Sequence, residues 1–151
     1  MSAARSRKTV AVIHGPNLNL LGTREPDVYG SATLTDVDAL LRALASELGC
    51  DITSSQYSAE GEIIDAVHRA AAAGHAIVIN PGAYAHYSYA IHDALAATGV
   101  PKVEVHLTNI FAREEFRRTS VVAPAVHGVV AGFGAESYLL ALRAVTAMLD
   151  K

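Results

Sequence analysis

The sequence is poor in the residues that covalent and metal chemistry most often use. It has one cysteine and no tryptophan among 151 residues. A single thiol excludes an intramolecular disulfide and any cysteine-based zinc cage. Cys50 follows Leu48-Gly49 at a strand start, where it reads as a buried structural thiol rather than a nucleophile. Lysine is confined to Lys8, Lys102 and Lys151. Two are terminal and the third falls at the amino end of a strand, so a Schiff-base mechanism finds no suitable amine. The seven histidines show no i,i+4 pair and no zinc-binding spacing, so no metal is expected. There is no Gly-x-Ser-x-Gly elbow and no phosphate loop. Gly132-Phe133-Gly134-Ala135-Glu136-Ser137 begins like a dinucleotide fingerprint, but it ends in Ser and lies at the last strand rather than the first. Long hydrophobic runs are missing too. Val121 to Phe133 is broken by Pro124 and His127 and cannot span a bilayer, and Val10–Ile13 is too short for a signal-peptide core. A net charge of −3 argues neither for nucleic acid nor for an anionic membrane, and neither is expected as a partner. These absences leave a soluble, cytoplasmic protein that works without a cofactor.

What is present is aliphatic. Apolar residues make up 51% of the chain but aromatics only 6%, so the core must be built from Ala, Val, Leu and Ile. The length suits one domain, taken as residues 9–151 behind a flexible tail of residues 1–8 that carries the basic cluster Arg5-Ser6-Arg7-Lys8. So apolar a composition leans towards self-association.

Short β-branched runs alternate with helical patterns, as in successive βαβ units. Strands are predicted at Thr9–His14, Asp51–Ser55, Ala76–Asn80, Lys102–His106 and Val126–Ala131. All are short and mostly apolar, as strands covered on both faces should be. Leu34, Val37, Leu41, Leu44 and Leu48 step by three and four along a helix ended by Gly49, with Thr35 and Asp38 read as its capping box. Ile63, Ile64 and Val67 mark a second helix, and Ala90, Ile91, Ala94 and Leu95 a third. Tyr138, Leu139, Leu142, Val145 and Leu149 mark the last. The pattern predicts an open three-layer α/β/α fold with a five-stranded parallel sheet in the order 2-1-3-4-5. Ligands of such folds bind beyond the carboxyl ends of the strands, at the switch point between strands one and three.

That rule selects three polar loops. The segment from Gly15 to Gly30 is long for an α/β unit and reads as a lid carrying Arg24 and Tyr29. The loop Asn80-Pro81-Gly82-Ala83-Tyr84-Ala85-His86 presents an amide and an imidazole. The third starts at Glu104-Val105-His106, whose outer residues share one strand face, so the carboxylate can orient the imidazole as a general acid. Backbone N–H groups at Leu107 and Thr108, just before a predicted helix, can cradle a carboxylate. Arg113 and Arg117 are expected to share a face of that helix.

Three long runs resemble the type II 3-dehydroquinases, from Val10 to Leu142. They are His14-Gly15-Pro16-Asn17-Leu18-Asn19-Leu20-Leu21-Gly22 with Arg24-Glu25-Pro26 and Tyr29-Gly30; Asn80-Pro81-Gly82-Ala83-Tyr84 with His86 and Asp93; and Glu104-Val105-His106-Leu107-Thr108-Asn109 with Arg113-Glu114-Glu115-Phe116-Arg117. Tyr87, Tyr89 and His92 depart from the residues usual in that family. The resemblance implies a flavodoxin-like fold, trimers assembled into a dodecamer, and reversible dehydration of 3-dehydroquinate in the shikimate pathway. It also implies that Tyr29 is the base, stabilised by Arg24, and that Asn17 holds a water at the enolate. His106 is then the acid, oriented by Glu104, while Asn80, Leu107 and Thr108 hold the carboxylate. His86, Arg117 and Asp93 would bind ring hydroxyls, Asp93 from a neighbouring subunit. A free tyrosine ionises only near pH ~10, so a tyrosine base needs cations beside it, and Arg113 joins Arg24 as a candidate. Two other classes stay open at this stage: a flavodoxin-like binding domain with no acid–base pair, and a dehydratase or hydrolase for another small hydroxy acid.

Overall fold

Five short strands form one sheet whose three central strands are buried on both faces, while the first edge strand, Asp51–Gln56, is polar apart from Ile52. The computed structural model describes residues 7–151. The strands are β1 (Thr9–His14), β2 (Asp51–Gln56), β3 (Ala76–Asn80), β4 (Lys102–His106) and β5 (Gly128–Ala131), and the helices are α1 (Pro26–Tyr29), α2 (Leu34–Leu48), α3 (Glu60–Ala72), α4 (Tyr89–Ala96) and α5 (Ala135–Leu149). All pairings are parallel and the order is β2-β1-β3-β4-β5, the flavodoxin-like arrangement expected from the sequence. The period-two alternation of the strands divides the core into two layers. Val10, Val12, Val78 and Val105 pack with α2 and α5. Ala11, Ile13, Ile77 and Ile79 pack with α3 and α4.

Several expectations need correction. The capping box of α2 is formed by Thr33 and Asp36, not by Thr35 and Asp38. The Thr33 hydrogen bonds hold the Asp36 carboxyl below its ordinary range. Asp38 instead turns inward to His14. The last strand begins at Gly128, because Val126 closes a turn over Ala123–Ala125. No α-helix lies between β4 and β5, where the sequence pattern predicts one. Two 3-10 turns, Ile110–Ala112 and Glu115–Arg118, flank an extended Arg113 (φ −111°, ψ −157°). Arg113 therefore reaches its position from the extended link and Arg117 from the second turn, not from one helical face. Residues 1–6 of the expected tail lie outside the described residues. Arg7 bonds Asp51 and the Cys50 carbonyl, and Lys8 bonds the Leu149 carbonyl at the end of α5. Cys50 is buried, and burial raises its thiol pKa. Among the described residues no helix is long and apolar enough to cross a membrane.

Candidate active site

The carboxyl ends of β1, β3 and β4 meet in one cleft because their backbones can approach closely. Gly15 donates its N–H to the Asn80 carbonyl at 2.8 Å. A Cβ on Gly15 would lie 2.7 Å from the Pro81 carbonyl group, so any side chain would force the two loops apart. Gly82 adopts φ +61° with Pro16 against it, a conformation that glycine takes without strain. The cleft is lined by Pro16, Asn17, Leu18, Arg24, Tyr29, Asn80, Gly82, Ala83, His86, His106, Leu107, Thr108, Ile110, Arg113 and Arg117. No lysine is among them. Lys102 lies at the far end of the sheet, where its ammonium caps α4 through the Leu95 and Thr98 carbonyls. Burial lowers its pKa.

The segment after β1 folds over this cleft. A 3-10 turn at Leu18–Leu20 and the single turn of α1 give it shape. Asn17 (φ 70°) and Glu25 (φ 41°) are the non-glycine residues with left-handed backbone among the described residues. Such conformations cost about 1–3 kcal/mol each and persist where surrounding structure imposes them. The chain from Asn17 onward carries Arg24 and Tyr29 over the sheet edge. The Arg113 guanidinium donates to the Tyr29 hydroxyl at 2.9 Å and to the Thr108 hydroxyl at 3.2 Å. The Arg24 and Arg113 guanidinium carbons lie 4.8 and 5.1 Å from the Tyr29 ring centre. Negative charge formed on this phenol would be met by two permanent cations.

Across the cleft, Glu104 and His106 share a face of β4, and His106 Nε2 lies 2.6 Å from Glu104 Oε2. Glu104 is wholly buried, which is tolerable for a carboxylate only when it is paired and hydrogen-bonded. Ser120 supplies the second partner, with its hydroxyl 3.0 and 3.1 Å from the two carboxylate oxygens. Ser120 had no signal in the sequence, since it lies in an irregular stretch between two turns. With Nε2 turned to Glu104, Nδ1 is the His106 nitrogen left to face a ligand.

The remaining expected residues divide. His86 stacks near His106 (ring centres 6.3 Å apart) and donates Nδ1–H to the Thr119 carbonyl at 2.8 Å, which leaves Nε2 as an acceptor. Burial holds its pKa below the ordinary value, helped by the positive potential of His106 and Arg117 and resisted by the Thr119 hydrogen bond. Arg117 pairs with Glu114, whose carboxyl that bond lowers, and lies 4.6 Å over Phe116. Asn80 is buried with both ends of its amide engaged, by Gly82 N–H and the Tyr138 hydroxyl. Asp93 is not brought to this cleft. It sits on α4 with an exposed side chain beside His92.

A phenol under two guanidiniums and a carboxylate-held imidazole line one cleft at the switch point, an arrangement suited to proton transfer on a flavodoxin-like frame. Residues 8–146 match the family described as class II dehydroquinase, and the chain belongs to that family. It is 55% identical over 139 residues to the 3-dehydroquinate dehydratase of Pelotomaculum thermopropionicum, covering 92% of this chain and 96% of that one. It is likewise 55% identical over 144 residues to the 3-dehydroquinate dehydratase of Caldicellulosiruptor bescii, covering 95% and 99%. The type II dehydroquinase structure from Propionibacterium acnes superposes with a TM-score of 0.89 at 43% identity, covering 94% of this chain and 99% of that one.

Proposed function

We infer that this chain is a 3-dehydroquinate dehydratase that works by proton transfer in the shikimate pathway. The observation that carries the reading is that Tyr29, held by Arg113 and Arg24, and His106, held by Glu104, line the same cleft. Tyr29 as phenolate removes a proton from C2 of the substrate, and an enolate forms. Asn17 holds the water that stabilises it. His106 then protonates the C1 hydroxyl, which leaves as water on the opposite face. Asn80 and the amides of Leu107 and Thr108 hold the carboxylate, while His86 and Arg117 bind ring hydroxyls. No protein–substrate covalent bond and no metal or other cofactor takes part.

The test is direct. Pure protein mixed with 3-dehydroquinate should produce rising ultraviolet absorbance, because the product is a conjugated enone and the substrate is not. Borohydride added with substrate should leave the activity intact, and so should a chelator. Substrate-dependent inactivation by borohydride would mean that an amine forms an imine and that the tyrosine mechanism is wrong.

The protein is also proposed to be cytoplasmic and to assemble as a dodecamer built from trimers, with Asp93 reaching a neighbour's cleft. All three phenylalanines are more than half exposed (Phe111 59%, Phe116 57%, Phe133 64%), a costly arrangement for an isolated chain. Light scattering should give a mass near twelve chains. A stable, fully active monomer would refute the assembly and leave Asp93 without a substrate role.

A further inference from the structure

The hydrogen bonds behind Asn80 can run in only one sense. One end of the Asn80 amide lies 3.1 Å from the Gly82 backbone N–H, which can only donate, so that end is Oδ1. The other end, Nδ2, must then donate to the Tyr138 hydroxyl oxygen at 3.0 Å. Burial pushes the Tyr138 phenol far above its ordinary pKa, more than the Asn80 bond draws it down, so the hydroxyl keeps its proton. That proton needs an acceptor, because a buried donor left unpaired is costly. His14 Nδ1 is there, at 2.9 Å. With Nδ1 accepting, the proton of His14 resides on Nε2, 3.0 Å from Asp38 Oδ1, which also accepts from Ser54 at 2.7 Å. Partial burial pushes the Asp38 carboxyl up, but the bonds from His14 and Ser54 outweigh it and hold it below the usual carboxylate range. The chain thus starts from a fixed anion and passes through α2, β1 and α5 to the end of β3. His14 and Asn80 are register partners on neighbouring strands, and both face the α2–α5 layer where Tyr138 is fully buried.

We propose that Tyr138 and His14 are positioning residues, which lock the Asn80 amide so that its second Nδ2–H is offered to the carboxylate of an anionic substrate. The proposal rests on the reading of Asn80 as a holder of the substrate carboxylate. A flipped amide would set N–H against the Gly82 N–H and withdraw the donor from the cleft. The carboxylate passes unchanged through the elimination, so this contact binds substrate and transition state alike and belongs to KM rather than to kcat.

Tyr138→Phe is expected to raise KM for 3-dehydroquinate ~10-fold, the loss of one hydrogen bond to a charged group, with kcat within about twofold. His14→Ala should do the same. His14→Gln should restore most of the affinity, since one end of its amide accepts from the phenol while the other donates to Asp38. In the unmodified enzyme, nitrogen-15 NMR should find the His14 proton on Nε2 and none on Nδ1. A proton on Nδ1 would overturn the proposed sense of the chain, and this measurement needs no variant to fold. A folded Tyr138→Phe with unchanged KM, or one that loses kcat and affinity in parallel, would overturn the positioning role. An unmodified protein with no activity on 3-dehydroquinate would instead strike the functional reading, while the NMR result would still decide the orientation of the amide.

Discussion

Tyr29→Phe is expected to abolish turnover of 3-dehydroquinate while substrate binding and folding persist. Phenylalanine keeps the ring that Arg24 and Arg113 flank but removes the oxygen that Arg113 bonds at 2.9 Å. The base is the group for which the physics is most demanding. The segment that folds over the cleft leaves the phenol half-buried, and burial alone works against a charged group. Only opposite charge can reverse that, and arginine supplies it because it stays protonated throughout. A nearby cation is worth ~1–3 pH units to an ionised neighbour, so Arg24→Gln should cut turnover at neutral pH by ~10–10³-fold. Steady-state kinetics, with substrate binding measured on Tyr29→Phe by calorimetry, check both. A Tyr29→Phe protein that keeps most of its activity would place the base elsewhere and remove the catalytic role of this segment.

The second large effect belongs to the acid. His106→Ala should lower turnover by the ~10²–10⁴-fold usual for a positioned acid or base, with KM nearly unchanged. Glu104→Gln should cost less, because a glutamine can still accept from Nε2 but no longer stabilises an imidazolium. Ser120→Ala should cost less again, roughly 10-fold in kcat, since Glu104 keeps its 2.6 Å bond to His106 and loses only the hydroxyl. A graded series in kcat at near-constant KM is the expected outcome. If His106→Ala turns over at the rate of the unmodified enzyme, water or another group protonates the leaving oxygen.

Where the sequence was legible, a simple period made it so. β1 and β3 are apolar on both faces, and β4 sets Val103 and Val105 on one face against buried Lys102, Glu104 and His106 on the other, so their limits could be read directly. The switch-point rule then brought together Tyr29, His106, Asn80 and the arginines from three separate loops. Between β4 and β5 the same reasoning failed, because tertiary contact decides the backbone there. Arg113 is extended so that its guanidinium spans Thr108 and Tyr29, and a continuous helix would carry it away. The capping box of α2 was misplaced by two residues for a related reason. Asp38 looks like a capping residue in sequence, yet its carboxylate is drawn inward by His14 and Ser54. Ser120 and the roles of Tyr138 and His14 could not be read at all. Each acts by touching a residue far away in the chain, and no local pattern records that.

The division of the core into two layers has a consequence for how such an enzyme can change. Asn80 rests on the α2–α5 layer through Tyr138, whereas Glu104 and His106 point to the opposite side of the sheet and lean on Ser120. The sheet separates the two sets of contacts, so a side chain repacked in one layer touches one set and not the other. A substitution that shifts Tyr138 would reach the Asn80 amide and leave the Glu104–His106 pair in place, and one at Ser120 would do the reverse.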